Sequence, residues 1–160
     1  MKLVLKILPW KKMIFVSIVL LVLLIVFSFY GLYTNTFYLF KLDNYIFPLS
    51  TLVHFTFLYV LQFKINEAEM TDPQMRNIEY ALYGVFLVYL FETFKTVATL
   101  ATYSNFSNHH IPATFLPLGI LILVLQVTLL GVTLLSLKYR KVLIGDYKFD
   151  DMDQHIDSWE

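Results

Sequence analysis

The sequence predicts an all-α integral membrane protein: a bundle of four transmembrane helices with both termini in the cytoplasm. Three observations predict it. Four apolar runs, at about Met13–Tyr33, Tyr45–Phe63, Tyr80–Thr102 and Thr114–Leu137, occupy more than half of the 160 residues. Each is close to the roughly 20 residues a helix needs to cross a hydrocarbon core about 30 Å thick. Hydrophobic residues make up 58% of the chain and its mean hydropathy is +0.66, which excludes a water-soluble domain of this size. Finally, basic residues alternate between connections. Lys2, Lys6, Lys11 and Lys12 precede the first run, Lys64 and Arg76 separate the second from the third, and Lys138, Arg140, Lys141 and Lys148 follow the fourth, whereas the other two connections hold only Lys41. Positive loops stay in the cytoplasm, so the Asn66–Glu79 loop and both termini are expected there, most naturally at the plasma (inner) membrane, with Thr34–Asp43 and Tyr103–Ala113 on the other side. Residues 1–145 form the transmembrane domain and 146–160 an acidic cytoplasmic tail.

The elements follow in order. Trp10 beside Lys11 and Lys12 suits an interfacial anchor, with the ring at headgroup level and the ammonium groups in water. The first run resembles a signal peptide in its charged start, but it exceeds an ordinary signal-peptide core and no small-x-small cleavage site follows, so it is read as a retained span. Between Ile14 and Phe29 its only polar side chains are Ser17 and Ser28, and a helix so uniformly apolar can face lipid on most sides. The aromatics Phe29, Tyr30, Tyr33, Phe37, Tyr38 and Phe40 place the next loop on the membrane interface. Pro48 falls in the first turn of span two, where its missing N–H costs nothing. Asp72-Pro73 is a helix start, Asp as N-cap and Pro as first helical residue, so the third helix begins before it enters the bilayer near Tyr80. Pro112 and Pro117 mark the start of the fourth helix.

Span three carries the most informative residues, Glu92 and Lys95, inside an apolar run. Each central charge costs about 2.5–3.5 kcal/mol on insertion, and roughly ten strongly apolar residues return about 0.3–0.6 each. The sum is near zero, so span three needs its neighbours. At 1.5 Å per residue, Glu92, His54 on span two and Gln126 on span four each lie roughly 15–18 Å from the non-cytoplasmic end of their spans. Tyr89, Glu92, Lys95, Thr96 and Thr99 share one face of span three, and Ser50, Thr51 and His54 one face of span two. Ala98, Thr99, Ala101 and Thr102 are small enough to allow close helix approach. His54, Glu92, Lys95, Gln126 and Tyr89 are thus expected to form one buried polar cluster. It serves either packing, with Glu92 and Lys95 neutralising each other, or a proton or ion relay, since intramembrane ionisable groups often mark transport pathways; a third use is pairing with another subunit.

Other chemistry finds no foothold. The chain has no cysteine, hence no disulfide framework or thiolate metal site. His109 and His110 are loop residues and His155 is in the tail, so no histidine pair shares a depth for axial haem ligation. No nucleophile triad, phosphate loop or carboxylate pair occurs. No cofactor, metal or nucleic acid is expected. Asn105-Phe106-Ser107 matches a glycosylation acceptor, but so close to the membrane it carries little weight. In the tail, Phe149, Met152, Ile156 and Trp159 recur at helical spacing among acidic residues; a helix this short is marginal alone, so the segment is expected to stay disordered, to dock back on the loop around Lys64 and Arg76, or to dock in a partner's groove. The expectation is a small non-enzymatic accessory or scaffold subunit of a larger membrane assembly, embedded in lipid and in contact with other subunits or itself. The alternative is a small proton- or cation-coupled transporter or channel.

Overall fold

The computed structural model describes residues 8–103 and 111–147. It contains four helices long and apolar enough to cross a membrane: α1 (Trp10–Ser28), α2 (Ile46–Glu67), α3 (Pro73–Ala101) and α4 (Phe115–Leu143). They pack as an antiparallel ring in which α1 borders α4 and α2, and α3 borders α2 and α4. We call the end that carries Trp10, the Ala68–Asp72 loop and Leu143 the terminal end, and the opposite end the connector end.

The helix boundaries follow local chemistry. At the start of α3, Asp72 Oδ1 accepts from the Met75 N–H at 2.7 Å, with Pro73 in the first turn, as the sequence predicts. Helix α2 ends at Ala68, whose φ of 52° closes the helix in the left-handed region. Helix α1 departs from expectation at its end. It stops at Ser28, and the chain then turns into a two-residue antiparallel ribbon, Tyr30–Gly31 (β1) against Thr36–Phe37 (β2), with Tyr30 opposite Phe37. Asn35 takes φ 55° in the turn, a conformation its short amide tolerates. Gly31 is required because a Cβ there would meet the Tyr38 ring at 2.5 Å. A short 3₁₀ turn at Leu42–Tyr45 then leads into α2.

Packing selects one stripe on each helix. On α1 it is Met13, Ser17, Leu20, Leu21 and Leu24, spaced by three or four residues, so a helix apolar all round still buries a single face. On α3 it is Met75, Glu79, Leu82, Val85 and Tyr89. Beyond Tyr89 no α3 residue is buried. In its most apolar 18-residue stretch 11% of residues are buried, against 33% in each other helix. The small residues Ala98, Ala101 and Thr102 are exposed rather than packed; close approach between α3 and α4 comes instead from Leu100, which seats over Gly119.

Candidate functional site

The polar side chains expected to form one cluster fall into two groups, one above the other along the bundle. In the deeper group, His54 on α2 and Tyr89 on α3 are buried, and His54 Nδ1 lies 3.3 Å from the Tyr89 hydroxyl. The rings stack at a tilt, and Phe47 packs on the other part of Tyr89 at 5.2 Å between centroids. His54 Nε2 has no partner among the described residues. His54 touches neither charge of span three through a hydrogen bond. On its terminal-end side α2 and α3 bury Phe57, Leu58, Leu61, Leu82 and Val85, while the buried hydroxyls of Ser17 on α1 and of Thr133 and Ser136 on α4 donate to carbonyls of their own helices.

The second group surrounds a cavity of about 190 Å³ at the connector end. Lys95 Nζ lies 3.0 Å from both carboxylate oxygens of Glu92, so the two charges pair within one helix turn. The side chain of Glu92 is 21% exposed and that of Lys95 53%; their helix leaves them at the rim rather than in the core. Gln126 on α4, Thr96 on α3, Ser28 at the end of α1 and Asp43 and Asn44 from the 3₁₀ turn complete the polar lining, while Phe47 and Ile122 supply apolar wall. The ribbon and 3₁₀ turn thus do more than connect: they fold back to bring Asp43 and Asn44 to the Glu92 level of the bundle. Phe29 packs edge-on against Tyr45 and Asn44 Nδ2 donates to the Tyr38 carbonyl at 2.9 Å, which hold this connection in place.

A third polar centre, at the terminal end, escaped the sequence reading. Glu79 and Arg140 are buried together, with side chains 3% and 8% exposed. Arg140 Nη2 donates to Glu79 Oε1 and Nε lies beside Oε2, both at 2.7 Å. Tyr83 donates to the same carboxylate at 2.8 Å and Tyr147 at 2.5 Å. Arg140 Nη1 reaches the Gly145 carbonyl at 2.9 Å, and its guanidinium lies over the Tyr147 ring. Burial, followed by the adjacent Glu79 carboxylate, pushes the Tyr147 hydroxyl pKa well above its usual value, so it remains a donor at all ordinary pH. At the same end of the bundle, Lys64 Nζ meets Asp72 at 2.7 Å and Glu69 at 3.1 Å. Partial burial pushes the Asp72 pKa up, but hydrogen bonds from Lys64 and the Met75 N–H outweigh it and hold Asp72 below the usual carboxylate value. These contacts were legible in one respect: Glu79 is in phase with Met75, Leu82 and Tyr89 once the helix is started at Pro73.

Among the described residues no group of three or more His, Asp or Glu side chains is placed to hold a metal ion. The tail stripe of Phe149, Met152, Ile156 and Trp159, the His109-His110 pair and Asn105 lie outside the described residues. No protein-family model matches the chain, and comparison with curated proteins and with solved structures finds nothing similar to it.

Proposed function

We propose that this chain is a non-enzymatic accessory or scaffold subunit of a larger membrane assembly, which it joins through α3. The observation that carries the reading is the poor coverage of that helix. Tyr80, Gly84, Leu87, Phe91, Lys95 and Ala98 recur at helical spacing on its exposed side, and a Cβ added to Gly84 would meet nothing within 4 Å. Lipid covers aromatic and aliphatic side chains without penalty, but not a half-exposed lysine paired to a carboxylate inside the span. Small residues and a polar group on one face are what helix association in membranes uses, because lipid tails supply no hydrophobic drive between helices. A partner helix on this face completes the desolvation that the chain leaves unfinished.

Purification from native membranes in a mild detergent tests it. Stoichiometric recovery with a larger complex is expected, and Gly84→Leu is expected to release the chain while leaving its own unfolding temperature unchanged. Recovery of wild type and variant alike as a monomer in nanodiscs refutes the assembly. The transport reading, with His54, Glu92 and Lys95 as a relay, draws support from the polar cavity. Against it stands the layer from Phe57 to Leu61 on α2 and Leu82 to Val85 on α3, beside which the buried hydroxyls of Ser17, Thr133 and Ser136 are spent on carbonyls of their own helices, so that among the described residues no chain of hydrogen bonds leads from His54 toward the terminal end. Proton flux into liposomes carrying the purified chain distinguishes the two, and none is expected.

A further inference from the structure

The hydrogen-bond inventory of the connector-end cavity is one-sided. The Ser28 hydroxyl donates to the Ile25 carbonyl at 2.8 Å, and the Thr96 hydroxyl to the Glu92 carbonyl at 3.1 Å. Asn44 Nδ2 donates to Tyr38, and Lys95 Nζ to both oxygens of Glu92. Its side-chain donors are therefore largely committed to the protein itself. What remains is chiefly acceptors: lone pairs on two hydroxyls and on the Glu92 carboxylate, the carboxylate of Asp43, which Lys41 approaches at 3.8 Å, and Gln126 Oε1, which is buried with no partner among the described residues; the Gln126 amide NH2 and the third Lys95 N–H are the donors left beside them. A hydroxyl that donates locally can still accept, and a carboxylate offers about four acceptor positions. The volume is enough for about six waters at roughly 30 Å³ each, or for one small organic molecule. Phe47, Leu24 and Ile122 line the remainder, a surface for a short carbon chain.

We propose that this cavity binds a small primary ammonium compound, its N–H groups held by Glu92 and Gln126 and its short alkyl part lying on Phe47 and Ile122. The protein displays the recognition on itself: the Lys95 ammonium already sits on Glu92, from a side chain half exposed at the rim. Lys95 is then a resident competitor for the anionic anchor and not a ligand of the site. The two charges therefore act in opposite directions on affinity, Glu92 for and Lys95 against, and a site for an anion would reverse both signs. The site does not rest on the assembly reading: Glu92 and Gln126 line the cavity and Gly84 has no part in it, and Lys95 alone belongs to both surfaces.

The test is titration of the full chain in nanodiscs of neutral lipid with n-propylammonium, by calorimetry or ligand-observed magnetic resonance. Tetramethylammonium and propionate serve as probes of the same scale. Propylammonium is expected to bind, and tetramethylammonium, which carries the charge but no N–H, about tenfold more weakly or worse, as the loss of a charge-assisted hydrogen bond requires. Glu92→Gln is expected to weaken propylammonium at least about tenfold, Gln126→Leu to weaken it less, and Lys95→Met to strengthen it. The wild-type comparison of the two cations needs no variant, so it decides even where Glu92→Gln fails to fold. Equal affinity for both cations, no binding of propylammonium to folded wild type, or propionate binding that Lys95→Met abolishes each overturns the proposal.

Discussion

Replacing Glu79 by Gln removes one charge and almost no volume from the most enclosed ion pair in the described residues. Its carboxylate receives the Arg140 guanidinium and the hydroxyls of Tyr83 and Tyr147, all within 2.5–2.8 Å. Hydrogen bonds to charged groups contribute about 1.5–3 kcal/mol each, but not additively. Removing one member of a buried pair costs about 3–5 kcal/mol, chiefly because the other charge stays buried alone. Gln keeps a carbonyl oxygen for one of the donors, so the lower end, about 3 kcal/mol, is expected. Tyr147→Phe deletes one donor and is expected to cost about 1.5 kcal/mol, and Tyr83→Phe less, because Tyr83 is 46% exposed. Replacing the pair together, as Glu79→Leu with Arg140→Met, is expected to recover much of the single-variant loss. Unfolding of the purified chain in mixed micelles, titrated with a denaturing detergent, measures the series. A loss under about 1 kcal/mol for Glu79→Gln, or one that added salt removes, refutes the buried pair, since salt screens exposed charges far more than enclosed ones.

Three further outcomes follow from the same contacts. Asp72→Ala is expected to cost about 1 kcal/mol at neutral pH through loss of the N-cap, and Asp72→Asn less, because Asn still caps and the pair with Lys64 is partly solvated. Because the folded Asp72 carboxyl is held below its unfolded value of 3.8, its ion-pair contribution is complete above that value and is lost as pH falls through the folded one; the gap between wild type and Asp72→Asn is expected to close there, and a gap that persists in acid discounts the pair. Tyr89→Phe is expected to destabilise by about 1–3 kcal/mol by leaving the buried His54 with no partner, while His54→Leu with Tyr89→Phe is expected to be close to neutral; thermal unfolding of both in detergent checks it, and equal losses overturn the pairing. In this cysteine-free chain, single cysteines at Gln74 and Lys141 are expected to resist membrane-impermeant reagents in intact cells and one at Phe40 to react, and the reverse pattern inverts the topology.

How much of this was legible in the sequence depends on the range of the interaction. The four apolar helices and the Asp72-Pro73 start are local, governed by hydropathy and by one cap, and apart from the early end of α1 at Ser28 the structure places them where the residues indicate. Rotation of α1 about its axis was not legible, because a helix apolar on every side carries no stripe to read; only contact with α2 and α4 chooses Met13, Ser17 and Leu21. Depth arithmetic puts His54, Glu92 and Gln126 at one level, but counting from span ends resolves neither a turn of helix nor the side chains that lie between. It is the side-by-side placement of Phe47 and Tyr89 that separates His54 from the Glu92 group. Glu79 and Arg140 were passed over as a loop acid and a topology marker. Each looks ordinary alone, and their partnership spans 61 residues. The ribbon at Tyr30–Phe37 hides inside an aromatic-rich stretch whose hydropathy resembles that of a helix end.

The two ends of α3 are held very differently, and this gives the helix the mechanics of a beam fixed at one end. Its terminal half is clamped by Glu79, Met75 and Leu82, and the last buried residue is Tyr89. From there to Ala101 the helix runs roughly 18 Å at 1.5 Å per residue with only intermediate or exposed side chains. A bend of about 10° at Tyr89 swings Ala101 through roughly 3 Å, about the diameter of a water molecule, while the clamped half stays in place. The rim of the cavity therefore widens or narrows at the expense of Leu100 over Gly119, the Tyr33 hydroxyl on the Thr99 carbonyl and the Tyr103 ring on Phe115, and amide exchange along α3 should slow stepwise from Ala101 toward Glu79.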